Sequence, residues 1–346
     1  MALKTPTSDF LAQLLDCDPA SIRFISFSQN AVYEFTDWEG VPRILRLTCG
    51  SHRKRYEVES ELNWVEVLHG AGKTVCPPVR WKNGMRVMSF IPDVAGEEED
   101  TWHAVIFQKA AGRALEKDDL SETLYEKHGK TLGALHEFSR HRPRCLEMRC
   151  KWYAERYFTR DVGTYLAPGV ARSVRAAWRQ IRADLLPHCK RTRRTYGPVH
   201  LDLGYSNFFL SGDHLEVFDF DNSCRSYYAY DIALALYGGL FTRLRCEFAG
   251  DRSAFDHPKS SVNLQAVWNA FRRGYESQTV WLEEWNLAFP LWFEVAYFRA
   301  VLHAFRVQHP VTNPRVQALL DADIENILNR QPPVRFDFSE GKVMLS

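Results

Sequence analysis

Apolar and polar positions change period about a third of the way along the chain. Arg23 to Ser28, Ala31 to Thr36 and Pro42 to Thr48 are short runs rich in β-branched and aromatic residues, which reads as strands. Asp37-Trp38-Glu39-Gly40 separates the second from the third as a turn. Tyr56 to His69 carries helical spacing, with Val58, Leu62 and Val65 on one face, and Gly70 and Gly72 end it. Arg86 to Ile91 and His103 to Gln108 read as two further strands. The acidic run Glu97-Glu98-Glu99-Asp100 between them is expected to be a solvated loop.

From Gly112 onward the period is mainly helical. Leu120 to Phe138, Trp152 to Tyr165, Ala171 to Leu186, Asp231 to Leu240, Val262 to Ser277, Val280 to Gln308 and Arg315 to Arg330 are the expected helices. Leu124, Leu132, Leu135 and Phe138 form the expected buried stripe of the first. One β segment interrupts them: Gly197 to Leu201, Asn207 to Leu210, a turn at Ser211-Gly212-Asp213, and Leu215 to Phe220. The expectation is an α+β chain in two lobes. Residues 1–110 form an antiparallel β-sheet lobe with one main helix, and residues 111–346 a larger, mainly helical lobe. A cleft between lobes is a usual place for a ligand.

Composition narrows the class. The chain has 346 residues, 45% hydrophobic and 25% charged, as ordinary globular proteins do. The formal net charge of +1 gives no global field to attract nucleic acid or an anionic membrane. The basic runs Arg53-Lys54-Arg55 and Lys190 to Arg194 read as solvated surface. Eight cysteines, at 17, 49, 76, 145, 150, 189, 224 and 246, are scattered without a C-x-x-C pair, and are expected as reduced thiols in the cytoplasm. Met1 to Asp16 lacks the pattern of a signal peptide, and no stretch reaches the length of a membrane span.

The chemistry concentrates in Val199-His200-Leu201-Asp202-Leu203-Gly204-Tyr205-Ser206-Asn207 and Val217-Phe218-Asp219-Phe220-Asp221. Phosphoryl transfer needs a carboxylate to orient the attacking hydroxyl and accept its proton, and hard oxygen ligands for Mg²⁺ on the phosphates. An Asp followed five residues later by Asn can aim both side chains into one site, and an Asp at the end of the next hairpin can return to the same metal. The catalytic loop of protein kinases, H-R-D-x-x-x-x-N and then D-F-G, has this layout. Arg46 lies within the apolar run Ile44-Leu45-Arg46-Leu47. Glu61 shares the apolar face of its helix, and a carboxylate pointing inward needs a cation.

The segment from Gly197 to Leu240, with Tyr230-Asp231-Ile232-Ala233 following the Asp-Phe-Asp element, resembles the aminoglycoside phosphotransferase/choline kinase family. The nearest pattern is its homoserine-kinase-like bacterial phosphotransferase branch. The resemblance spans roughly residues 22 to 305 and includes Ser60-Glu61-Leu62-Asn63-Trp64 in the first lobe. It implies a two-lobed protein-kinase-like fold and an ATP- and Mg²⁺-dependent kinase acting on a hydroxyl of a small molecule. Residues 1–110 would then bind the nucleotide, and residues 111–346 would carry catalysis and the acceptor. By the same resemblance Asp202 would be the catalytic base, Asn207 and Asp219 would bind the metal, and Asp221 would assist it or brace the loop. Asp231 would hold the catalytic loop from below, with His200 a packed loop residue. Arg46, paired to Glu61, would meet the phosphates. The turn Ser28-Gln29-Asn30-Ala31 lacks glycine, so backbone N–H groups with the Ser28 or Asn30 side chain would cover the phosphates. Backbone groups near Phe107-Gln108-Lys109-Ala110 would meet the adenine.

The resemblance implies an acceptor that is an amino alcohol, an amino acid such as homoserine, or an aminoglycoside. Trp268, Trp281, Trp285 and Trp292 are candidates for its pocket, although aromatics at helical spacing are more often core. Glu283 and Glu284 could meet a cationic acceptor or stand solvated at a helix end. Two other functions are compatible with these residues: a Ser/Thr protein kinase of the bacterial stress-response kind, and a non-catalytic kinase-like scaffold. No nucleic-acid or membrane partner is expected.

Overall fold

The structure is a computed structural model that describes residues 6–92, 100–116, 119–142, 144–237, 264–337 and 342–345. Glu97 to Glu99, the last residues of the helix expected over Asp231 to Leu240, Val262 and Cys246 lie outside the described residues. The chain divides into two compact units. The first comprises Met1–Gly112, Leu146–Arg149 and Glu216–Asp221, and the second Arg113–Cys145, Cys150–Leu215 and Asn222–Ser346.

The first unit opens with helix α1 (Ser8–Leu15), capped by the Thr7 hydroxyl, which accepts from the Phe10 N–H. Strands β1 (Arg23–Phe27), β2 (Asn30–Thr36) and β3 (Pro42–Cys49) follow. Helix α2 (Arg55–Gly70) comes next, and then β4 (Pro78–Val79), β5 (Met88–Phe90) and β6 (Trp102–Gln108). The sheet is antiparallel in the order β1-β2-β3-β6-β4, with β5 also pairing β6. Strand alternation divides its side chains. Leu45, Leu47, Ala104 and Ile106 turn to one face, where Leu11 and Leu15 of α1 cover them. Val105 and Phe107 turn to the other, against Val58 and Leu62 of α2. Arg46, between Leu45 and Leu47, must therefore face α2. Helix α1 and the two-residue strand β4 were not expected; β4 is too short to show a period.

The second unit contains α3 (Glu122–Arg140), α4 (Val162–Tyr165), α5 (Pro168–Leu185), α6 (228–237), α7 (Leu264–Glu276), α8 (Glu284–Gln308) and α9 (Pro314–Leu328). Its strands are β7 (Tyr196–Val199), β8 (Phe208–Ser211) and β9 (His214–Val217), with β10 (Cys224–Tyr227) antiparallel to β7. A terminal pair, β11 (Val334–Asp337) and β12 (Lys342–Leu345), was not expected. The stretch Trp152 to Tyr165 is not one helix. It is a 3-10 turn over Trp152–Ala154, a π-helical turn over Tyr157–Asp161, and then α4. Glu155 breaks it with an extended backbone (ψ 143°) and sends its carboxylate to Arg299 at 2.9 Å, a tertiary pairing that overrides local periodicity. Helix α8 starts at Glu284 rather than Val280, because the Val280 carbonyl accepts from Arg140 Nη2 at 3.1 Å outside any helix.

The four tryptophans proposed for a pocket are core. Trp281 contacts Trp268, Trp285 and Phe289, and Trp292 contacts Trp152 and stacks on Tyr230. All four are at most 7% exposed, which removes them as an acceptor surface. Glu283 pairs with Arg272 at 2.8 Å, an exposed contact. Among the described residues, no helix is long and apolar enough to cross a membrane. Among the described residues no disulfide is formed.

Helices α3 and α7 approach through glycine. A Cβ on Gly129 would lie 2.0 Å from the Phe271 carbonyl oxygen, and one on Gly274 would lie 1.9 Å from that of Glu126. Backbone cannot yield as a side-chain tip can. We expect Gly129→Ala to cost about 1–3 kcal/mol through overpacking, despite alanine's better helix propensity. Thermal melting checks this; a variant as stable as the parent would show that the helices separate freely.

Candidate active site

The two parts of the predicted site fall in different units. Arg46, Glu61, Asp219 and Asp221 belong to the first, and His200, Asp202, Asn207 and Asp231 to the second.

In the first unit, Arg46 reaches across to α2 and grips Glu61 in a two-pronged pair: Nη1 to Oε1 at 2.7 Å and Nη2 to Oε2 at 2.8 Å. Glu61 is fully buried and Arg46 is 4% exposed. Burial works against the Arg46 charge, but Glu61, and then Asp221 and Asp219, outweigh it and raise its pKa. The guanidinium lies 5.0 Å over the Phe107 ring, and its Nη1 is 3.7 Å from Asp219 Oδ1. Asp219 takes a left-handed backbone (φ 59°), which Asp tolerates better than most residues, and its side chain is 44% exposed. That leaves an oxygen donor of the hard type that divalent cations prefer.

Asp221 lies deeper. His52 Nε2 donates to its Oδ2 at 2.8 Å, and Arg53 Nε to its Oδ1 at 3.3 Å. Burial would raise its pKa; Arg53 and His52 more than offset this and hold the carboxyl well below its ordinary range. Arg149 donates to the carbonyls of Glu57 and Asp221, and stands 3.9 Å from Glu61. Arg53 is thus an internal partner rather than solvated surface, a correction to the reading of that basic run. Lys190 to Arg194, in contrast, is exposed.

The remaining first-unit candidates are dispersed. The β1–β2 turn closes with the Ser28 N–H donating to the Asn30 carbonyl at 3.3 Å. Ser28 is exposed, whereas Asn30 is 6% exposed and its Oδ1 is buried without a partner. Lys109 pairs with Glu34, which also holds Arg23.

In the second unit, the loop after β7 hangs on one buried carboxylate. The N–H groups of His200 and Leu201 donate to Asp231 Oδ2 and Oδ1 at 3.1 and 2.7 Å, and His136 Nε2 donates to Oδ2 at 3.0 Å. These bonds, with His136 foremost, outweigh burial and keep the Asp231 carboxyl below its ordinary pKa. Leu201 sits at φ 64°, a strained position for a leucine, which the bond from its own N–H holds. Asp202 then turns outward, its side chain 40% exposed. Asn222 Nδ2 donates to its Oδ2 at 2.9 Å, and Arg299 Nη1 lies 3.5 Å from its Oδ1. Asn207 donates Nδ2 to the Asp202 carbonyl at 2.8 Å, which fixes the amide with Oδ1 as its acceptor, where the Ser206 hydroxyl donates at 3.3 Å. His128 Nε2 donates to the Leu203 carbonyl at 2.9 Å, and its Nδ1 is buried without a partner.

Sequence reasoning passed over His52, Arg149, His136, Asn222 and Arg299. Two had a visible signal. His136 adjoins the apolar stripe of α3, and Arg299 interrupts the apolar run from Val295 to Leu302, so each implied a buried partner.

A strand–helix ion pair and a braced Asp/Asn loop, on an antiparallel sheet unit followed by a helical unit, define a kinase-like fold. The family comparison agrees: the sequence profile of the phosphotransferase enzyme family (APH) matches residues 21–266, and the chain belongs to that family. It is 24% identical over 222 residues to amicoumacin kinase of Bacillus subtilis (strain 168), a match covering 64% of this chain and 63% of that relative's length. Among solved structures, it is similar to an amicoumacin kinase in complex with AMP-PNP, Ca²⁺ and Ami. That match has a TM-score of 0.80 and 22% identity, covering 93% of this chain and 92% of the other. A microcompartment-associated aminopropanol kinase has a TM-score of 0.68 and 20% identity, covering 93% and 97%. The α+β kinase-like fold expected from the sequence is therefore the fold found.

Burial depresses the His128 pKa to about 4. The unfolded chain takes up a proton near pH 6.5, and the folded chain only near 4. Stability is therefore full above pH 7 and falls as pH drops through that window. We expect His128 to contribute about 2 kcal/mol of the stability lost between pH 7.5 and 5. Gln can keep the bond to Leu203 without titrating, so melting of His128→Gln should show a shallower pH slope than the parent. Parallel slopes would refute this.

Proposed function

We propose that this chain transfers the γ-phosphoryl group of ATP to a hydroxyl of a small molecule, with Asp202 as the base. The observation that carries this reading is the bracing of the 200–207 loop by Asp231. It spends buried hydrogen bonds on holding Asp202 half-exposed, with its carboxylate fixed from the side by Asn222. A carboxylate so placed orients an incoming hydroxyl and takes its proton as the oxygen attacks. Arg46, held by Glu61, supplies a fixed positive charge for phosphate oxygens. Ser28, Asn30, Phe107 and Lys109 are the proposed nucleotide contacts of the sheet unit.

The donors present suit Mg²⁺. Asn207 keeps Oδ1 as its acceptor, and Asp219 presents a partly exposed carboxylate, both hard oxygens. Asn207 and Asp219 are each proposed as ligands of the ion, and Asp221, engaged by His52 and Arg53, would brace its segment instead of ligating. Mg²⁺ bound with the nucleotide neutralises charge on the phosphates. Family membership and the relatives named for amicoumacin and aminopropanol support a small molecule, rather than a protein, as the acceptor.

The test is ADP release from Mg-ATP across a panel of hydroxyl acceptors. It would include homoserine, choline, ethanolamine, aminopropanol and several aminoglycosides. Asp202→Asn should melt like the parent and lose about 10²-fold or more in turnover. Asp219→Ala should lose Mg²⁺-dependent nucleotide binding. Normal turnover in the first variant would reject Asp202 as the base, and unchanged Mg-ATP affinity in the second would reject the metal site.

A further inference from the structure

The surroundings of Asp202 in the helical unit leave one cation over. Arg299, His303 and Arg306 stand at i, i+4 and i+7 along α8, one stripe of the helix. Arg299 divides itself between Glu155, at 2.9 Å, and Asp202, at 3.5 Å. His303 Nδ1 lies 3.3 Å from the Tyr157 hydroxyl, and Arg156 holds Asp161 at 3.1 Å. Each acid of this cluster therefore has a cation beside it. Arg306 makes no ion pair among the described residues: Asp161 attracts it without pairing to it, and its Nη1 is buried without a hydrogen-bond partner. Burial, and then the like charge of Arg156, lower its pKa, whereas Glu155 and Asp202 outweigh burial and raise that of Arg299. A buried donor left unmade is costly and calls for an acceptor from elsewhere.

We infer that Arg306 binds a carboxylate of the phosphoryl acceptor, so that the substrate is a hydroxy acid or hydroxy amino acid rather than a simple amino alcohol. This rests on the phosphotransferase reading and names the substrate class of that site. The reach is suitable. Seven residues of helix separate Arg299 from Arg306 by about 10 Å, and helical side chains lean toward the N-terminus, back toward Arg299. A compound of about four carbons, with contacts of about 3 Å at each end, spans such a gap. One guanidinium balances one carboxylate; a phosphate dianion would leave charge uncompensated. The planar fork suits a carboxylate better than an ammonium group would.

The experiment uses the full chain in two assays. The first is melting without nucleotide, in the presence of homoserine or 4-hydroxybutyrate and of their counterparts lacking the carboxylate, 3-aminopropan-1-ol and butane-1,4-diol. The two carboxylates should raise Tm saturably and the counterparts should not. Arg306→Met keeps the stem's bulk and removes a charge that forms no ion pair among the described residues, so it should melt about as the parent does and lose the shift. Arg306→Lys should retain part of it. The second assay is ADP release, where Arg306→Met should raise KM for homoserine about tenfold or more with little change in kcat. A parent that no carboxylate shifts, or an Arg306→Met variant that keeps the shift, would overturn the inference. A shift lost in Arg306→Met with no ADP release from any acceptor would uphold the anion site and count against the phosphotransferase reading. ADP release with equal KM for both acceptor types would do the reverse.

Discussion

The carboxylate of Asp231 organises the helical unit around the loop that matters. It accepts from two consecutive backbone N–H groups and from His136, so three donors from two segments converge on one buried charge. In a low-dielectric interior such a group is stabilising only if its hydrogen bonds are nearly complete. That requirement ties α3, which carries His136, α6, which carries Asp231, and the loop after β7 to one another. The strained backbone at Leu201 is affordable only because of it. Asp202 is presented to solvent as the consequence.

The sheet unit solves a related problem by alternation. A cation between Leu45 and Leu47 cannot face the apolar side that α1 covers, so Arg46 meets α2, where Glu61 waits on the helix's buried face. The pair is two-pronged and nearly dry, which gives it a fixed orientation that an exposed pair would lack. Around it, Arg149, Arg53 and His52 balance Glu61 and Asp221. Asp219 stands at the edge of this network with its side chain partly in solvent. The network thus fixes buried charges while leaving one carboxylate accessible.

The helical unit shows where aromatic richness went. Its tryptophans pack on one another and on tyrosines, building a rigid core instead of an aromatic box. The charged stripe of α8 and the irregular stretch over residues 152–161 meet through Arg299 and Glu155. The π-helical turn over Tyr157–Asp161 places Tyr157 beneath the Arg299 guanidinium, 5.1 Å from its ring centroid.

Strands β1 to β3, helices α2 and α3, the Asp/Asn loop and the inward-facing Arg46 and Glu61 could be read in the sequence. Each is a local pattern: period two, period 3.6, a turn signal, or a charge on an apolar face. The sequence by itself thereby determined the fold class and the residue types of the site. What the tertiary structure alone decided were the partners. Nothing in Arg53, Arg149, Glu155 or Arg299 names the residue it meets, because those pairs join positions up to 168 residues apart. The same holds for the broken helix at Glu155 and the burial of the tryptophans. Long-range pairing and packing reward contacts that no window of neighbouring residues contains, and they overrule local propensity where the two conflict.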